Sequence, residues 1–125
     1  MKKLIIIRGL PGSGKTTFAH SLTTAVFEAD DYFIQSDGSY VFDREKLKEA
    51  HQQCQMKVFR AMQSEVPIIA VSNTAVKRWE MKVYKAMAVA FEYEVTEITM
   101  SQSLRPNIHG VPDEVIQRMK DTWEA

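Results

Sequence analysis

One stretch narrows the fold of this chain more than any other: Gly9-Leu10-Pro11-Gly12-Ser13-Gly14-Lys15-Thr16. Its first and sixth positions are glycine and its last two are Lys-Thr, which is the complete P-loop spacing. Glycines at those positions let successive backbone N–H groups curl around phosphate oxygens, and a helix that begins where the loop ends adds its positive end. Both flanks agree with this. Lys3 to Arg8 is a short, isoleucine-rich apolar run, as a buried parallel strand would be, and Thr16 to Ala25 carries Phe18, Ala19 and Leu22 at helical spacing. The bland alternative is a glycine-rich turn that merely joins strand to helix; the full motif with both flanks favours phosphate binding. Gly12, Ser13, Gly14, Lys15, Thr16 and Thr17 are the expected nucleotide-binding residues. In that role Lys15 reaches the β- and γ-phosphates of ATP and the Thr16 hydroxyl is a ligand of Mg2+.

The rest of the chain repeats the strand-helix alternation. Val26 to Ala29 is a very short second strand that runs into Asp30-Asp31, and Tyr32 to Phe42 is loop or a small hairpin around Asp37-Gly38. Asp43 is an N-cap candidate for a helix to about Ser64, with Leu47, Ala50, Cys54, Val58 and Ala61 on its apolar face. Val66 to Val71 is a third strand, and Lys77 to about Phe91 a helix with Trp79, Val83, Met87 and Ala90 on one side. Tyr93 to Met100 is a fourth strand, and Pro112 opens a last helix. Such an order behind a P-loop predicts an α/β P-loop NTPase fold of about four mostly parallel strands, covered by helices on both faces, with ligands at the carboxyl ends of the strands.

Composition sets the outer limits. A length of 125 residues suits one domain over 1–125, because a core of ordinary size needs about 100–150. Sixteen basic residues against sixteen acidic ones remove global attraction to nucleic acid as an argument, so only a local patch could serve. The lone Cys54 cannot close an internal disulfide, which points to a reducing, cytoplasmic setting. Arg8-Gly9 interrupts the only signal-like apolar run, and no stretch approaches the roughly 20 apolar residues of a membrane span.

Asp30-Asp31 lies just past the second strand, on the same rim as the P-loop. A carboxylate there can take the proton of an attacking hydroxyl or help hold the magnesium shell; by itself the pair could equally begin a turn. Together with Ser72-Asn73-Thr74, Trp79-Glu80-Met81 and Asn107-Ile108-His109-Gly110-Val111-Pro112, these motifs resemble those of polynucleotide 5′-hydroxyl kinases. The motifs are similar to those of the phage polynucleotide kinase domain and of an animal group of P-loop proteins first known as ubiquitin-ligase binders. The resemblance implies ATP and Mg2+, a lid at 101–111, and γ-phosphoryl transfer to the 5′-hydroxyl end of RNA or DNA. It implies Asp30 as general base and Arg105 as the lid cation.

Three positions depart from that pattern. Pro106 stands where relatives carry an arginine, Asn73 replaces an acceptor-site aspartate, and Phe33 replaces an acceptor-site basic residue. These spare the nucleotide site but open two alternatives: a small-metabolite or nucleoside kinase of the same fold, or a nucleotide-binding module with little turnover. His109 is a phosphate contact or a plain loop residue, and Tyr32, Phe33 and Tyr40 either stack a nucleobase or anchor their loop. The histidines lack metal-ligand spacing, Cys54 reads as core, and so do both tryptophans.

Overall fold

The computed structural model describes residues 1–11, 13–75, 77–100 and 113–124. In chain order it contains β1 (Lys3–Gly9), α1 (Lys15–Leu22), β2 (Val26–Phe27), α2 (Leu47–Gln63), β3 (Ile68–Asn73), α3 (Lys82–Phe91), β4 (Glu94–Met100) and α4 (Asp113–Asp121). Short 3-10 turns occupy Ala29–Phe33, Arg44–Lys46 and Arg78–Met81. The strands form one sheet in the order β2-β3-β1-β4, with every neighbouring pair parallel. All strand C-termini therefore share one rim, and β1, which feeds the P-loop, is paired on both sides.

Side-chain alternation along the strands builds the two layers. Leu4, Ile6, Ile69 and Val71 are buried with Ala50, Cys54, Val58 and Met62 of α2 and with Tyr84 and Ala88 of α3. Ile7 and Ala70 face the other way and pack with Ala19 of α1, flanked by Phe18 and Ile98. Coverage is uneven, since Glu94–Glu97 of the edge strand β4 is exposed. No helix among the described residues is long and apolar enough to cross a membrane.

Three local expectations shift. Asp43 caps a 3-10 turn rather than α2 itself, its carboxylate accepting from Glu45 N at 3.0 Å, and α2 begins at Leu47. The second strand ends at Phe27, and the chain winds into the 3-10 turn that carries Asp30 and Asp31. The face of α3 is also different: Trp79 is 67% exposed and Val83 and Ala90 are exposed, while Met81, Tyr84 and Ala88 are buried. The run Ala86 to Phe91 is apolar on every side, so its periodicity is degenerate, and a 3-10 start at about three residues per turn displaces the count.

Candidate active site

The P-loop closes on itself at Gly9. A Cβ there would lie 2.6 Å from Ser13 Oγ and 3.0 Å from the Met100 carbonyl, so only glycine admits this approach. Ser13 N donates to Leu10 O at 3.1 Å to form the turn, and Gly14 caps α1 with φ 86°, a left-handed conformation that a Cβ would strain. Lys15 and Thr16 then open the helix at the sheet's C-terminal rim. Thr17 is exposed in the first turn, and Gly12 lies outside the described residues.

Around Lys15 stand two carboxylates from the neighbouring edge. Burial depresses the Lys15 ammonium, while Glu28 and Asp30 draw its pKa back up. Thr16 Oγ1 donates a hydrogen bond to Glu28 Oε1. Burial pushes the Glu28 carboxyl above the usual carboxylate range; the Thr16 hydroxyl opposes this and the nearby Asp31 adds to it. Glu28 carries none of the motifs that single out its neighbours. In the sequence it falls inside the expected strand Val26 to Ala29, and its place on the ligand-binding rim emerges only because β2 ends at Phe27.

The turn bearing Asp30 is fixed from both sides. Ala29 N donates to Asn73 Oδ1 at 2.8 Å, which ties the turn to the tip of β3, and the Tyr40 hydroxyl donates to Asp30 Oδ1 at 3.2 Å. Asn73 also directs its amide toward Cys54 Sγ, 4.0 Å away. Phe33 is 2% exposed, with the rings of Tyr32, Tyr40 and Phe42 at 5.5, 6.1 and 5.1 Å, and the Tyr32 hydroxyl donates to Glu49 at 2.6 Å. These aromatics anchor the loop, and Phe33 is too deeply buried to stack a base. Burial first, and then the Asp30 carboxylate, hold the Tyr40 phenol above its ordinary range.

The structure thus brings Lys15, Thr16 and Asp30 together and adds Glu28. Arg105, Pro106 and His109 fall outside the described residues, as does the whole candidate lid. A cation, a hydroxyl and a carboxylate side by side at a glycine turn are a donor set suited to a metal-bound triphosphate.

Comparison with known proteins bears on the family and the fold. Residues 4–125 match the protein family described as an AAA domain. The chain is 34% identical over 134 aligned positions to human NEDD4-binding protein 2; the match covers 97% of this chain but 8% of the human protein. Among solved structures it is similar to one in the Pnkp1/Rnl/Hen1 complex, with 16% identity, TM-score 0.63, and coverage of 94% of this chain and 38% of that one. It is also similar to the Mycobacterium tuberculosis APS kinase CysC in complex with AMPPNP and APS, with 13% identity, TM-score 0.57, and coverage of 96% and 74%. Four parallel strands wrapped by helices, with kinases as structural neighbours, make this a P-loop kinase fold.

Proposed function

This chain belongs to the AAA-domain family, and from that premise we propose that it is an ATP-dependent phosphotransferase whose acceptor is the 5′-hydroxyl end of RNA or DNA. The observation that carries the reading is the placement of Asp30 within electrostatic reach of Lys15, on a turn held by Asn73 and Tyr40. A carboxylate so placed can accept the acceptor hydroxyl's proton as the γ-phosphoryl is transferred. Gly12, Ser13 and Gly14 offer backbone donors to the phosphates, Lys15 supplies the fixed cation, and Thr16 and Thr17 complete the nucleotide contacts. Mg2+ would be held through Thr16, where it neutralises charge on the transferring group. Arg105 is assigned as the lid cation that favours the transition state. The single, buried Cys54 suits a reducing, cytoplasmic compartment.

One observation supports a second reading. Phe33 is part of the core, so the position at which the resembling kinases carry a basic residue offers no charge to a polynucleotide. A small hydroxyl acceptor, a nucleoside or metabolite, needs no such charge.

Incubation with γ-labelled ATP and a panel of 5′-hydroxyl oligonucleotides and nucleosides separates the readings. Labelled oligonucleotide is the expected product; labelled nucleoside alone supports the second reading, and tight ATP binding with no product identifies a binding module. Within an active protein, Arg105→Ala should lower the single-turnover rate with ATP affinity nearly unchanged, because the charge it meets is greatest in the transition state.

A further inference from the structure

We infer that Glu28 is the carboxylate with which this protein holds the Mg2+ of its nucleotide, an assignment that rests on the nucleotide-binding reading of the P-loop. In P-loop proteins the metal is shared between the loop's Ser or Thr and a second, acidic residue on the same rim. Strand β3, directly beside β1, ends in Ser72-Asn73 and offers no carboxylate there. Asn73 is already engaged, its side-chain oxygen accepting from Ala29 N at 2.8 Å.

Glu28 stands one strand further out and reaches back. It leaves the sheet directly after β2, and its Oε1 accepts the Thr16 hydroxyl proton. That hydrogen bond uses the single proton of Thr16 Oγ1 and leaves the oxygen's lone pairs for a cation. Asp30, by contrast, is two residues on, in the 3-10 turn, and accepts from Tyr40. The two carboxylates therefore differ in what they hold: Glu28 accepts from the P-loop hydroxyl of Thr16, and Asp30 from the Tyr40 phenol. Among the described residues no three His, Cys, Asp or Glu side chains cluster as a self-sufficient metal cage. Mg2+ fits this pattern, because it is commonly held by one or two carboxylates together with substrate phosphates and water.

Mn2+ binding to the full chain in the presence of ADP, read by electron paramagnetic resonance, tests the assignment without requiring turnover. Glu28→Gln keeps the acceptor oxygen for Thr16 and should weaken Mn2+ binding by about 10–100-fold, with ADP affinity in EDTA unchanged. Glu28→Asp, which keeps a carboxylate on a shorter stem, should retain part of the affinity and guards against loss through misfolding. If Glu28→Gln binds Mn2+ as the wild type does, the assignment fails while the kinase reading stands. If Glu28→Gln loses Mn2+ and the wild type phosphorylates no oligonucleotide, the assignment stands and the polynucleotide acceptor is the part removed.

Discussion

The guanidinium carbon of Arg8 lies 4.3 Å from the centroid of the Trp123 ring, which joins the end of β1 to the chain that follows α4. The same guanidinium donates to the Ala75 carbonyl through Nε at 3.0 Å and Nη2 at 2.6 Å. Ala75 itself has φ 49°, unusual for a residue with a Cβ. One buried side chain therefore clasps three segments: the strand entering the P-loop, the exit from β3, and the C-terminal stretch.

Arg8→Lys preserves the charge but loses the planar fork and the stacking face. It should destabilise the fold by about 1.5–3 kcal/mol, the range for hydrogen bonds to charged groups. Urea unfolding of Arg8→Lys, Trp123→Leu and the double variant would show whether the two residues couple; additive losses would mean that the ring contact is incidental.

Lys15→Ala should abolish turnover and sharply weaken triphosphate binding while leaving the fold intact. The structure adds a sign to this. Burial disfavours the Lys15 ammonium, so its removal should not lower, and can raise, the melting temperature of the nucleotide-free protein. Calorimetric titration with ATP and a thermal melt check both halves.

Asp30→Asn should reduce phosphoryl transfer by about 10²–10⁴, the usual contribution of a general base, with ATP binding retained. Asp31→Asn should be mild. If the ranking in single-turnover assays is reversed, the base is the other member of the pair.

Asn73→Ala removes the acceptor for Ala29 N and should destabilise the chain by about 1–3 kcal/mol through an unsatisfied donor. Its more telling effect is on rate: the turn carrying Asp30 loses its fastening, so kcat should fall more than ATP affinity. Asn73→Asp, which keeps an accepting oxygen, should recover much of that rate.

Burial pushes the Cys54 thiol above its ordinary value of 9.0, with the nearby Tyr84 hydroxyl and Asn73 amide opposing. A raised pKa favours the protonated thiol in the folded state, so the associated stability is present below about pH 9 and declines as pH rises through the folded value. Native Cys54 should resist a disulfide exchange reagent near pH 8 and react at the free-thiol rate once guanidinium unfolds the chain. Relative to Cys54→Ala, the wild type should lose stability on going to alkaline pH.

How much of this could be read in advance depended on whether the signal was local. The P-loop is consecutive in sequence and is followed at once by its helix, so Lys15 and Thr16 were legible, as was Asp30 from its place after a strand. Glu28 was not, because its partner Thr16 is twelve residues back and the two meet only through the strand order that sets β2 near α1. Arg8 read as the polar end of a strand, yet its environment is assembled from residues near the far end of the chain. The face of α3 was misplaced because consecutive apolar residues carry no phase. Asn73, which stands where the resembling kinases carry an acceptor-site aspartate, is a fastener, a role that depends on a backbone N–H no side-chain pattern reveals.

Strand β3 lies between the strand that ends in the P-loop and the short strand that leads into Glu28. Adjacent strands keep a spacing of about 4.8 Å, set by main-chain hydrogen bonding and hardly altered by side-chain identity. The sheet thus acts as a ruler between the P-loop and the segment that carries Glu28 and Asp30. Side chains on that turn can be exchanged without disturbing the reach.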